Sequence, residues 1–182
     1  MSRLFEVEHR PDTNDWHTPP WVFDGMGVEF DLDVCAPPGG VDWIPARKSL
    51  SESDDGLLTP WSGWVWCNPP YSAPAQWCRK WAKHAPGGCL LIRSDLSTAG
   101  PNIAFGAAHA IYFAPKRINF VNGHGAGTGA VAFSTVLLAR GDRCVAGLHR
   151  LAQTLGGHAR SLTDRRDTDP HHDCAHTPKE TA

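Results

Sequence analysis

The residues best suited to chemistry are Asn68-Pro69-Pro70-Tyr71, which directly follow the apolar run GWVWC at residues 63–67. That run reads as a short buried strand. A strand that meets Asn-Pro-Pro must leave its sheet, because neither proline can donate to a ladder and each fixes φ. In open α/β sheets, ligands bind beyond the carboxyl ends of the strands. The simplest reading of the tetrad is a stiff loop plugged by an aromatic ring. The chemical reading is a pair of rigid acceptors, the Asn68 side-chain carbonyl and the Pro69 main-chain carbonyl, for the two N–H bonds of an exocyclic amine. The lone pair of such an amine is delocalised into its ring, which makes it a poor nucleophile. Two acceptors draw it toward tetrahedral geometry and localise the lone pair, an effect realised best in a transition state. Methyl transfer to an amino nitrogen needs this arrangement. It needs no general base of raised pKa, since the proton can leave after the new bond forms. Tyr71 adds a ring for stacking.

The flanking patterns say what must position the tetrad. Thr18-Pro19-Pro20, followed by Trp21, Val22, Phe23 and Met26, predicts a short helix with proline in its first turn and Thr18 as a candidate cap. Residues 30–35 (FDLDVC) alternate as a strand. Residues 36–60 are rich in proline and glycine and read as irregular. A helix is predicted over 73–84, with Trp77 and Trp81 spaced i,i+4. Further strands are predicted at 88–93, 110–113 and 130–139, and helices at 101–109 and 142–155. Strand–helix–strand order with continuous apolar strands predicts an α/β fold, a mainly parallel sheet flanked by helices.

Composition bounds the rest. The 182 residues are 41% hydrophobic and 20% charged, enough for one core-bearing domain, expected over 15–155 between a loose arm at 1–14 and a polar, disordered tail at 156–182. No apolar run reaches the roughly 18–20 residues of a membrane span, and the start lacks the apolar region of a secretory signal. Six cysteines without a CxxC pair read as reduced cytosolic thiols, and no structural metal is expected. His171, His172, Cys174 and His176 sit in the tail with no fold to fix a coordination geometry. Residues 1–55 hold twelve acidic and four basic side chains, whereas 56–141 hold seven basic and one acidic. That asymmetry suits a cationic cofactor beside a polyanion, or mere surface patterning. The glycine-rich stretch NGHGAGTG at 122–129 is no Walker loop, since no Gly-Lys-Ser/Thr follows.

Three runs, DWHTPPWVFDGMGVEFDLDVCA, SDDGLLTPWSGWVWCNPPYSAPAQW and more weakly KRINF, resemble in type, order and spacing the phage-type DNA N6-adenine methyltransferases. This is a Dam-like branch of the class I S-adenosylmethionine-dependent methyltransferases, and the likeness spans about residues 15–120. It implies a Rossmann-like class I fold, S-adenosylmethionine as cofactor, and methylation of adenine N6 in double-stranded DNA with the target base flipped onto the tetrad. A phage or prophage origin and a bacterial cytoplasm follow from the same likeness. Residue by residue, it places Thr18 and Pro19 over the cofactor's methionine part. It places Asp31, Asp33, Cys35 and Ala36 in the cofactor motif, with Asp33 beside the ammonium or sulfonium. Asp55, within Asp54-Asp55-Gly56, falls at the pocket rim, although Asp-Gly is equally a turn signal. The usual GxG cluster is missing, replaced by Ala36-Pro37-Pro38-Gly39-Gly40, and Asp42 is a weak candidate for holding ribose. Arg79, Lys80 and Lys83 on the helix after the tetrad, with Lys116 and Arg117, are candidate phosphate contacts. Two alternatives remain: an NPPY enzyme acting on RNA adenine or protein glutamine, and a non-catalytic DNA-binding remnant.

Overall fold

The computed structural model describes residues 16–95, 97–122, 128–130 and 133–162. The arm, most of the glycine-rich stretch and the His/Cys-bearing tail lie outside the described residues. In chain order the elements are β1 (Trp16–His17), α1 (Pro20–Met26), β2 (Leu32–Asp33), a 3-10 turn at Glu52–Asp54, β3 (Trp64–Cys67), α2 (Pro74–Lys83), β4 (Gly87–Arg93), α3 (Ala99–Ala107), β5 (Ala110–Phe113), β6 (Asn119–Asn122), β7 (Thr128–Ala130), β8 (Thr135–Arg140), α4 (Asp142–Leu155) and β9 (His158–Ser161).

Apolar spacing decides which helix covers which face. On α4, Cys144, Leu148 and Leu151 recur at i, i+4 and i+7 and are fully buried. They pack with Val22, Phe23 and Met26 of α1 against Trp66, Leu91 and Leu137 of the sheet. On the opposite face, Cys78 and Trp81 of α2 and Ala104 of α3 cover Val65, Cys67, Leu90, Ile92 and Leu138. The strands thus alternate between two cores in a three-layer sandwich, and each fully buried large side chain contributes ~1.5–3 kcal/mol. Pro20 opens α1, and Gly27 closes it in the left-handed region (φ 55°), donating its N–H to Phe23 C=O. Such a C-terminal position favours glycine. Pro19 is the N-cap residue, with no side-chain cap, so Thr18 does not cap the helix.

The main sheet has the order β2-β3-β4-β8-β5-β9. Its pairing corrects the expectation of a mainly parallel sheet. β2/β3 and β3/β4 are parallel, while β4/β8, β8/β5 and β5/β9 are antiparallel. The sheet is mixed. The physical reason is that an unbroken apolar strand reports helices on both faces, not direction. Val136, Leu137, Leu138 and Ala139 of β8 are all buried, yet this strand runs against both its neighbours. A second, three-stranded antiparallel sheet, β1-β6-β7, joins Trp16 to Asn122 and His17 to Val121. Neither β1 nor β6 was expected from the sequence, and the strand expected over 130–139 is split between β7 and β8.

Ordered structure also continues past Gly156, where composition suggested a tail. Residues 158–161 form β9, with Ala159 buried against Tyr112 of β5, and Tyr112 Oη donates to Gly156 C=O at 2.9 Å. Its polar sequence, HARS, conceals an edge strand with only one inward apolar side chain. Truncation after Leu155 removes the partner of β5 and should lower the melting temperature by at least about 5 °C. Truncation after Leu162 should leave it nearly unchanged. A thermal melt of both chains checks this.

Candidate active site

β3 ends at the fully buried Cys67, and the tetrad turns out of the sheet where the two sheets meet. The Asn68 amide donates from Nδ2 to the Trp16 carbonyl of β1 at 2.9 Å. This bond fixes which way the amide faces and turns Oδ1 toward Tyr71, whose hydroxyl donates to it at 3.3 Å. That second bond is long for O–H···O, so a better-placed donor would displace it. Tyr71 is held edge-on by Phe133 at 4.7 Å and Phe120 at 6.1 Å between centroids. Burial pushes its phenol well above the usual tyrosine range, so it remains a protonated donor. The guanidinium of Arg93, at the end of β4, lies 4.6 Å over Phe133. Phe120, Phe133 and Arg93 were not singled out in the sequence. An Asn-Phe pair in β6 and an isolated Phe near β8 carry no local signal of meeting Tyr71.

A cavity of about 560 Å³ opens beside the tetrad. It is lined by Asn68 and Pro70 on one side, by Trp16 and His17 of β1, and by Asp33, Cys35 and Ala36 after β2. Glu52, Asp55, Gly56 and Trp77 complete it. Of the expected cofactor residues, Asp33, Cys35, Ala36 and Asp55 therefore share one cavity with Asn68. Thr18 and Pro19, which follow His17 in the chain, are buried and do not line the cavity. Thr18 is 0% exposed and its hydroxyl has no hydrogen-bond partner among the described residues, while its carbonyl accepts Trp43 Nε1–H at 2.9 Å. Pro69 is buried in the tetrad, and Tyr71 lines a second, mostly apolar cavity of about 260 Å³ with Arg93 and Pro74.

Asp33 is the electrostatic centre of the large cavity. Its carboxylate accepts a hydrogen bond from Cys35 N–H at 3.1 Å. Burial pushes its pKa up to about 7, offset only in part by that bond. A buried acid with no compensating cation among the described residues is built to receive positive charge. Asp31, two residues earlier, differs: it accepts Trp64 N–H at 2.8 Å and faces Arg47 at 3.7 Å, so it fastens β3.

The Asp54-Asp55-Gly56 segment is both turn and wall. Asp54 caps the 3-10 turn through Ser51 N–H and Oγ, which hold its carboxyl below the usual range. Asp55 sits in the left-handed region (φ 46°), its Oδ1 accepting Leu57 and Leu58 N–H. Gly56 is packed so closely that a Cβ would lie 2.3 Å from Val34 C=O. Glu52, not singled out in the sequence, lines the cavity. Asp42 lines a smaller polar cavity of about 280 Å³ with Arg47 and Lys48, and Asp33 and Ile44 border both cavities.

The basic residues divide. Arg79 and Lys83 are exposed on α2, and Lys116 and Arg117 on the loop before β6. Lys80 corrects its expected role as a phosphate contact. Its ammonium donates to Gly56, Leu57 and Thr59 carbonyls at 3.0, 2.9 and 2.6 Å and lies 4.8 Å over Trp61. Its three protons are spent inside the chain. Among the described residues no group of His, Cys, Asp or Glu is placed to hold a metal, and no helix is long and apolar enough to cross a membrane.

An acceptor-bearing tetrad at the end of a strand, beside a cavity with an uncompensated acid, is the geometry expected of an amino-directed methyltransferase. The profile of the DNA N-6-adenine-methyltransferase (Dam) family matches residues 7–140, most of the chain. The chain therefore belongs to that family. No curated protein and no solved structure matches it.

The state of Asp33 predicts a pH signature. Its folded pKa lies above the ordinary 3.8, so the folded chain keeps a proton that the unfolded chain gives up between about pH 4 and 7. Stability from this group is full below that window and falls as pH rises through it. Asp33→Asn removes the effect. Melting curves should show the variant gaining on the wild type between pH 4 and 8; a constant difference would contradict the assignment.

Proposed function

We propose that the chain binds S-adenosylmethionine in the 560 Å³ cavity and methylates adenine N6 in double-stranded DNA, with the base rotated onto the tetrad. The carrying observation is that Asp33 and Asn68 line the same cavity. Its size falls within the ~300–1,000 Å³ of ligand sites. The chemistry of its lining fits the cofactor: the Asp33 carboxylate offers an anion for the ammonium or sulfonium. Glu52 and Asp55 offer acceptors for ribose hydroxyls. Trp77 offers a flat apolar wall. When bound, S-adenosylmethionine supplies an electrophilic methyl group on a sulfonium.

The chain's own residues do the rest. Asn68 Oδ1 exchanges its long bond from Tyr71 for one N–H of the amine, and the Pro69 carbonyl accepts the other. The nitrogen lone pair is thereby released from the ring and directed at the methyl group. The Tyr71 ring, fixed by Phe120 and Phe133, stacks on the extruded base, and the 260 Å³ cavity gives that base room on the tetrad's other side. The surplus proton leaves to water after transfer. Arg79, Lys83, Lys116 and Arg117 supply sequence-independent phosphate contacts. A formed cavity with an unpaired acid supports cofactor capture over a DNA-binding remnant, and the family match supports DNA over RNA or protein.

Asn68→Ala removes one transition-state acceptor. Single-turnover methylation should slow by about 10²–10³-fold, while calorimetry shows cofactor binding retained. Tyr71→Phe keeps the ring and loses only the 3.3 Å bond, so its rate should fall by less than about tenfold. An Asn68→Ala chain methylating at the wild-type rate would reduce the tetrad to a structural turn.

A further inference from the structure

Resting on the reading of the large cavity as the S-adenosylmethionine site, we propose that Lys80 is a positioning residue for that site, acting through the loop Gly56–Thr59. Three carbonyl oxygens of this loop, on Gly56, Leu57 and Thr59, converge on one Nζ. An ammonium carries three protons in a tripod, so it satisfies all three. Without it, the Leu57 and Thr59 carbonyls would lose this donor and Gly56 would keep only Trp61 Nε1–H. Trp61 strengthens the same knot. Its Nε1–H donates to Gly56 C=O at 2.7 Å, its ring lies under Lys80, and it stacks on Trp77 at 6.2 Å and 20°.

The knot reaches the cavity directly. Gly56 and Asp55 line it from the loop, and Trp77, one helical turn before Lys80 on α2, lines it from the helix. Gly56 leaves no slack, since Trp77 Cη2 lies 2.8 Å and Val34 C=O 2.3 Å from where a Cβ would stand. Oδ1 of the Asp55 carboxylate accepts Leu57 and Leu58 N–H within the loop. Lys80 is therefore the side chain that ties this loop to α2 and holds Asp55, Gly56 and Trp77 as one wall. It touches neither cofactor nor base.

Two variants separate this role from a phosphate contact. Lys80→Met keeps the stem and removes the three donors. Lys80→Arg keeps a cation able to bind phosphate, but its planar fork cannot aim three N–H bonds at one convergent set of carbonyls. In both variants, KM for S-adenosylmethionine should rise about tenfold or more, as for a displaced binding wall. The turnover at saturating cofactor and the salt dependence of DNA binding should stay near wild type. Hydrogen exchange should quicken across residues 55–61 in Lys80→Met and stay slow in β3 and β4, which shows that the fold survives. A salt slope lowered by about one unit in Lys80→Met and restored in Lys80→Arg, with cofactor KM unchanged, would make Lys80 a phosphate contact and overturn the proposal. Unchanged exchange and unchanged KM would overturn it as well. If the wild-type chain shows no S-adenosylmethionine binding in calorimetry, the reading of the cavity fails first; binding in the wild type with no change in the variants sinks the Lys80 proposal alone.

Discussion

The hydrogen bond from Asn68 Nδ2 to the Trp16 carbonyl is the constraint on which the rest of the site depends. It is the point where the strand-end tetrad of the main sheet is tied to the small sheet. β1 contributes only two residues, yet it pairs with β6, which brings Phe120 against Tyr71. The same pairing sets Trp16 and His17 along the cavity. Swinging the amide over would place two acceptors face to face at Trp16, so the oxygen of Asn68 is committed to the side of Tyr71. A net contribution of ~0.5–1.5 kcal/mol is small beside the cores, but the bond decides direction, and direction is what an acceptor pair needs.

Three cations in this fold hold carbonyls at the ends of segments. Arg150 donates to Met26 and Gly27 carbonyls at 2.6 and 3.0 Å, closing α1. Arg140 donates to Trp81 and His84 carbonyls at 3.1 and 2.7 Å, closing α2. Lys80 does the same for the loop beside the cavity. Favourable cation placement at helix C-termini follows from the unpaired carbonyls there. The basic bias of residues 56–141 is thus smaller as a surface property than as a count, with Arg79 and Lys83 of α2 and Lys116 before β6 exposed. Asp33 is the opposite case: an acid whose burial is offset only in part by the Cys35 N–H.

Much of this was legible in the sequence where local chemistry dictates geometry. Two prolines after GWVWC end a strand whatever surrounds them, and the 142–155 and 110–113 patterns match α4 and β5 as observed. Asp33, Cys35, Ala36 and Asp55 were recognisable by resemblance and do share one cavity. What was not legible depends on contacts distant in sequence. Burial on two faces gives the same apolar run in either strand direction, so the antiparallel half of the sheet was hidden. β1 and β9 are too short and too polar to show a period. Lys80 reads as an exposed helical base until Gly56, Leu57 and Thr59, more than twenty residues earlier, are seen to converge on it. Glu52 likewise reaches the cavity only because the 3-10 turn folds back over β2.

The chemistry proposed for this site is methyl transfer to the exocyclic nitrogen of adenine in DNA. Its most direct test is mass spectrometry of nucleosides from duplex DNA incubated with the purified chain and methyl-labelled S-adenosylmethionine. Label is expected in N6-methyl-2′-deoxyadenosine from the DNA and not on ring carbons. Cofactor binding without labelled adenine, or label confined to 5-methylcytosine, would contradict it.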